Sequence, residues 1–186
     1  MSHDASSRPI VFVGSSIIAL WDGLADNFSG VRVLNTAVCG AQTCDILGRV
    51  DELVTAHVPR MVCYYCGSND INASVPVETI SGNTLETYAR LRRQLPALKF
   101  VYLSIIRAPQ KMDRWQLVDQ VNAGMRRQST IRQDFQFIDI NPVFFSVDQT
   151  PRFDFYLEDQ LHLTVPAYAA LGEFLAPLVM KLLTEN

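Results

Sequence analysis

Imidazole takes and returns a proton near neutral pH, so a search for chemistry in this chain starts with its three histidines. His3 lies in the polar opening stretch MSHDASSRPI, which is expected to fray. His57 closes a helical stretch that leads into an apolar run, which puts it at the amino end of the strand that follows. His162 falls in a loop beyond the last apolar run, with Asp159 three residues before it. At that spacing the carboxylate can accept the Nδ1 proton, fix the tautomer and leave Nε2 free as a base. The same pair can also do no more than lead the chain into the next helix. A base needs a nucleophile. Ser16 stands in the turn Gly14-Ser15-Ser16 after the first apolar run, where a hydroxyl is exposed and backbone N–H groups lack partners. Helix capping by Ser15 and Ser16 is the bland alternative. Acyl transfer further needs donors for a developing oxyanion. Gly40 offers a backbone N–H with no Cβ in the way, and Asn69 offers a side-chain amide, unless it is a plain turn residue. Asp70, beside it, reads as a turn or cap residue rather than a second acid.

These residues must be carried by something. Five apolar runs, 10–13, 31–34, 61–65, 100–105 and 135–140, are mostly rich in β-branched or aromatic residues and nearly unbroken, as strands covered on both faces are. Helix-like stretches lie between them. Thr43 to His57 places Ile46, Leu47, Val50, Leu53 and Val54 three and four apart, and Leu85 to Leu95 has Leu85, Tyr88, Leu91 and Leu95. Met112 to Arg127 has a Trp115, Val118, Val121, Met125 stripe, and a last helix after Pro166 carries Leu171, Phe174, Leu175, Leu178 and Leu182, with Thr164 as a start signal. The alternation predicts one α/β domain over 1–186, a three-layer sandwich with a five-stranded parallel sheet, with residues 1–8 expected to be disordered. In such sheets ligands sit at the carboxyl ends of the strands. Ser16, Gly40 and Asn69 each fall just after a strand there, and His162 lies in a connection of more than twenty residues after the fifth, rich in Phe and Tyr.

Composition closes off other classes. The net charge is -3, against a general nucleic-acid or anionic-membrane surface, and no unbroken apolar run has the length of a membrane span, the most apolar tail, Ala167 to Leu183, being interrupted by Glu173 and Lys181. With no apolar leader in its first ten residues, the chain is expected to be cytoplasmic. Cys63 and Cys66 have C-x-x-C spacing but sit in a buried strand, which favours small core side chains over a redox or metal pair; Cys39 and Cys44 complete the four cysteines, and a chain of this size needs no disulfide framework. There is no G-x-S-x-G elbow, no G-x-G-x-x-G and no Walker string.

Taken together, the blocks resemble the SGNH (GDSL-type) hydrolase family. Val11 to Trp21 looks like its first block, with Ser16 at the nucleophile position; Asn35 to Gly40 looks like the second, with Gly40 at the oxyanion glycine. Tyr65-Cys-Gly-Ser-Asn-Asp70 looks like the G-x-N-D block, with Asn69 at the oxyanion asparagine, and Asp159-Gln-Leu-His162 looks like the D-x-x-H block. The usual aspartate before the nucleophile is Ser15 here, a mark of a Gly-Ser-Ser subgroup, and Arg107-Ala-Pro-Gln matches no family block. The resemblance implies a flavodoxin-like sandwich and hydrolysis of esters or thioesters through an acyl-enzyme on Ser16, with the Ser16 N–H as a further oxyanion donor and no metal or organic cofactor. The expected partner is a small acyl ester such as an acetylated sugar or a short acyl lipid, and a homo-oligomer is compatible with the sequence. Trp21, Arg107 and Tyr156, with Phe144, Phe145, Phe153 and Phe155, lie in loops that would wall the substrate pocket; the rings read more readily as core, and Arg107 as an exposed, solvated side chain rather than a contact to an anionic group of the substrate. A non-catalytic ligand-binding module of the same fold, or an acyltransferase, are the rival readings.

Overall fold

The apolar runs form strands β1 (Ile10–Gly14), β2 (Val33–Asn35), β3 (Met61–Tyr65), β4 (Lys99–Leu103) and β5 (Phe135–Ile138). This computed structural model describes residues 8–185. His3 and the expectation for the chain's first residues lie outside that range, except at Arg8, which is placed and partly buried. All strand pairs are parallel, in the order β2-β1-β3-β4-β5. Ile10 pairs with both Val33 and Met61, and Phe100 pairs with Phe135. The chain adds β2 on one side of β1 and β3 on the other, so the loops leaving β1 and β3 diverge. That reversal opens the crevice where such sheets hold ligands.

Side chains alternate across the sheet. Ile10, Phe12, Met61, Cys63, Tyr65, Val101 and Leu103 face one core, together with the last helix; Val11, Val13, Val62, Tyr64, Phe100, Tyr102 and Phe135 face the other. Cys63 and Cys66 fall in opposite cores, both buried and free, as a three-residue step along extended chain dictates. Helices α1 (Ser16–Ala19), α2 (Thr43–Gly48), α3 (Val50–Leu53), α4 (Ser68–Asn72), α5 (Val77–Gln94), α6 (Trp115–Ile131) and α7 (Val165–Thr184) complete the layers. α7 is long and apolar enough to cross a membrane by length and composition alone, but Ala167, Leu171, Leu175 and Val179 bury its inner face on the sheet.

Element bounds differ from expectation in several places. The helix expected over Thr43 to His57 is broken into α2, α3 and a 3-10 turn Thr55–His57; Gly48 weakens the helix end, and Arg49 (φ -114, ψ 16) and Val54 (φ -131, ψ -62) leave helical geometry. α5 begins eight residues before Leu85, at Val77. Thr84 and Thr87 occupy its buried face with their hydroxyls bonded back to Ile80 O and Asn83 O, which hides the apolar period. Thr164 is the residue before α7, but its side chain makes no cap bond; its hydroxyl donates to Asp154 O instead.

Candidate active site

Gly14 ends β1 so close to β3 that a Cβ there would lie 1.8 Å from Tyr65 O, and its φ is +151. Only glycine permits that approach. Ser15 N–H then donates to Tyr65 O, and Ser16 opens the short helix α1, 8% exposed. Ser15 makes no side-chain cap bond, so the capping alternative is not realised there. As the first residue of a helix, Ser16 keeps a backbone N–H with no intrahelical partner.

The segment after β2 is laid along the end of β1. Thr36 N–H donates to Phe12 O and Val38 N–H to Gly14 O, while the Asn35 amide donates to Ile18 O at 2.7 Å. Gly40 follows with φ +77, a left-handed conformation that favours glycine. This loop is stitched to the one after β3. Asn69 Nδ2 donates to Ala41 O at 2.9 Å, which uses one amide hydrogen and leaves the other. Asp70, 1% exposed, accepts from Thr43 N–H (3.0 and 3.1 Å) and from the Thr43 hydroxyl (2.6 Å). It therefore holds the first turn of α2 from a distance and is no second acid at the nucleophile. Burial pushes its carboxyl up from the ordinary carboxylate value, and the bonds from Thr43 work against that.

On the far side of the crevice, His162 Nε2 lies 3.0 Å from Ser16 Oγ and His162 Nδ1 lies 2.5 Å from Asp159 Oδ2. The other carboxylate oxygen, Oδ1, accepts from Leu161 N–H (3.0 Å) and His162 N–H (2.9 Å), so a local turn sets the acid's orientation. Desolvation works to raise the Asp159 carboxyl, but the bonds from the His162 ring, the His162 N–H and the Leu161 N–H outweigh it and bring it down to about 2. A hydroxyl, an imidazole and an ionised carboxylate thus stand in series, with Gly40 and Asn69 in the stitched loops beside them. Among the described residues no group of three or more His, Cys, Asp or Glu side chains is placed to hold a metal ion.

The structure places most of the residues expected to wall the pocket in the core. Trp21 is 4% exposed, stacked on Tyr168 (5.6 Å) and edge-on to Phe12 (6.5 Å), because the chain turns inward after α1 and drops the ring under α7. Tyr156 is also buried, against Phe144, and its hydroxyl has no partner among the described residues. Phe144, Phe145 and Phe155 are core, and Phe153 is exposed. Arg107 lies over the Phe145 ring (4.6 Å) and 4.0 Å from Asp119. It lines a cavity of about 400 Å³ with Asp139, Asn141 and Phe145, a cavity that neither Ser16 nor His162 lines. One side chain was missed: Lys111, fully buried and bonded to Ser68 Oγ at 2.9 Å. It is the residue after the Arg107-Ala-Pro-Gln string, and a lysine in a loop carries no sequence sign of burial.

Fold and site together define a hydrolase built on a three-layer α/β/α sandwich. The chain belongs to the GDSL-like Lipase/Acylhydrolase family, whose model matches residues 12–170. It is similar to the platelet-activating factor acetylhydrolase IB subunit alpha2 of Gallus gallus, 25% identical over 183 residues that cover 95% of this chain and 78% of that one. Among solved structures it resembles a GDSL-like lipase from Bacteroides thetaiotaomicron (TM-score 0.77, 17% identity, 98% of this chain and 92% of that one). It also resembles an acetylxylan esterase from Geobacillus stearothermophilus (TM-score 0.75, 16% identity, 97% and 96%).

Proposed function

We propose that the protein is a serine esterase acting on small acyl esters through an acyl-enzyme on Ser16. The observation that carries this reading is the unbroken series from Ser16 Oγ to His162 Nε2 (3.0 Å) and from His162 Nδ1 to Asp159 (2.5 Å). His162 takes the Ser16 proton as Oγ attacks the acyl carbonyl, and Asp159 stabilises the imidazolium that forms. The tetrahedral oxyanion is met by the Ser16 and Gly40 N–H groups and by the free Asn69 amide hydrogen. Collapse breaks the bond to the leaving alkoxide, which His162 protonates. Water then attacks the acyl-enzyme, giving its proton to His162, and the acid leaves as Ser16 regains its hydrogen. The names borne by the Gallus gallus and Geobacillus stearothermophilus relatives favour acetyl esters as the substrate class, on a lipid or a sugar.

Hydrolysis of nitrophenyl acetate by the wild type and by Ser16→Ala tests the reading, alongside labelling by a fluorophosphonate. Turnover and labelling are expected in the wild type and neither in Ser16→Ala. Labelling that survives the substitution would put the nucleophile elsewhere, and a wild type inert to both reagents would favour the ligand-binding alternative.

A further inference from the structure

Lys111 is 1% exposed, and charges are seldom buried without a counter-charge. Here no carboxylate pairs with it among the described residues; Nζ has three hydrogens and gives one, to Ser68 Oγ at 2.9 Å. Its backbone (φ -125, ψ 35) leaves helical geometry inside the 3-10 turn Pro109–Arg114, which turns this side chain inward while Gln110 and Met112 stay exposed. The turn bridges both sides of the crevice. Gln110 N–H donates to Gln160 O in the acid–base loop, and Arg114 donates to Ile71 O and Asn72 O at the end of α4. Ser68, the ammonium's acceptor, is the residue next to Asn69.

A hydroxyl that accepts from an ammonium must turn its own hydrogen elsewhere, so Ser68 is oriented by Lys111. A positive charge in a poorly hydrated interior also acts over a longer range than one in water. We propose that Lys111 is a positioning residue, whose buried ammonium fixes the Gly67–Asn69 turn through Ser68 and adds positive potential behind the oxyanion site. This rests on the reading of Ser16 as the nucleophile. Burial first, and the neighbouring Arg114 second, lower the lysine to about 8, so its charge changes within an ordinary assay range. Arg114 and Asp113 stand beside it from its own turn, Ser68 and Asn72 come from α4 and Gln160 from the acid–base loop, while the nearby Asp70 is engaged by Thr43.

The test is kcat and KM for nitrophenyl acetate across about pH 6 to 10 in the wild type, Lys111→Met and Lys111→Arg. Lys111→Met is expected to lower kcat by about tenfold to a hundredfold, with KM changed less than about threefold, and Lys111→Arg to recover part of the loss. Wild-type kcat should fall as pH rises through about 8, a limb absent from Lys111→Met. If Lys111→Met does not fold, Ser68→Ala reads the same link, and its kcat should fall while the limb moves to lower pH. A Lys111→Met or Ser68→Ala enzyme with wild-type kcat and an unchanged pH profile overturns the proposal alone. A wild type that neither turns over esters nor labels on Ser16 overturns the acyl-transfer reading and this proposal with it.

Discussion

Ser16 is 8% exposed, and the loops around it are joined by bonds that span 24 to 28 residues of chain: Thr36 to Phe12, Thr43 to Asp70, Asn69 to Ala41. Across the crevice, the side chain of Asp159 is 48% exposed, and its bonds reach only two and three residues along the chain, to Leu161 and His162. The nucleophile side is therefore part of the fold, built where the loops leaving β1 and β3 diverge. The acid–base side is a local turn set against it, joined to the other loops through Gln110. Breaking the bonds that join the loops on the first side should cost stability and activity together, whereas damage on the second side should cost activity with little change in stability.

The largest expected effects break the series itself. Ser16→Ala or His162→Ala should lower kcat by roughly ten-thousand-fold or more, because a triad member removed singly removes most of what the triad does. Thermal melts should stay close to wild type in both, since neither change opens a core cavity. A large drop in melting temperature for His162→Ala would show that its loop is as structural as the strand ends. Asn69→Ala comes next, with about a hundred- to a thousand-fold lower kcat from the lost donor. It should also lose roughly 1 kcal/mol of stability with the bond to Ala41 O, a joint loss that marks the nucleophile side.

Asp70→Ala sharpens the contrast from the structural direction. It leaves the Thr43 N–H and hydroxyl without their acceptor inside the protein, which costs about 2 kcal/mol, reduced by the relief of a buried charge. Activity should fall less than in Asn69→Ala, and only because the Gly40 loop loosens. A chemical-denaturation midpoint equal to wild type would mean the two loops do not depend on this link.

The same contrast explains what the sequence made legible. Chemistry lying in short, local patterns leaves a trace in the sequence, so the Asp159–His162 spacing and the turns after β1 and β3 offer their residues as candidates. The sheet is readable because parallel strands are apolar on both faces. Long-range choices are not. Nothing local says that Trp21 falls under α7, that Tyr156 packs on Phe144, or that the lysine after Gln110 turns inward to Ser68. A tryptophan or tyrosine in a loop has the same local pattern whether it lines a pocket or fills a core. Threonines on the inner face of α5 interrupt its apolar period, and they are tolerated there because their hydroxyls find acceptors one turn back.

The smallest effect separates the two sides by sign. Asp159 is brought down to about 2 by bonds that favour its charged form, so its folded state releases a proton more readily than its unfolded state. Its stabilising contribution is complete above the ordinary carboxylate range and is lost as pH falls toward about 2. Asp70 is shifted the other way, since burial favours its protonated form. Between its unfolded and its raised folded value the native protein binds more protons, so this group makes the fold more stable as pH falls through that window. Melting temperature against pH, from neutral down to about pH 2, reads both when the wild-type curve is compared with Asp159→Asn and Asp70→Asn. Removing Asp159 should flatten part of the acid fall, by a small amount because the group is exposed and screened. Removing Asp70 should steepen the fall, because an opposing contribution has gone. Differences of the same sign for both substitutions would mean that the two aspartates sit in equivalent environments, and the division of the site into a buried half and a local half would fail.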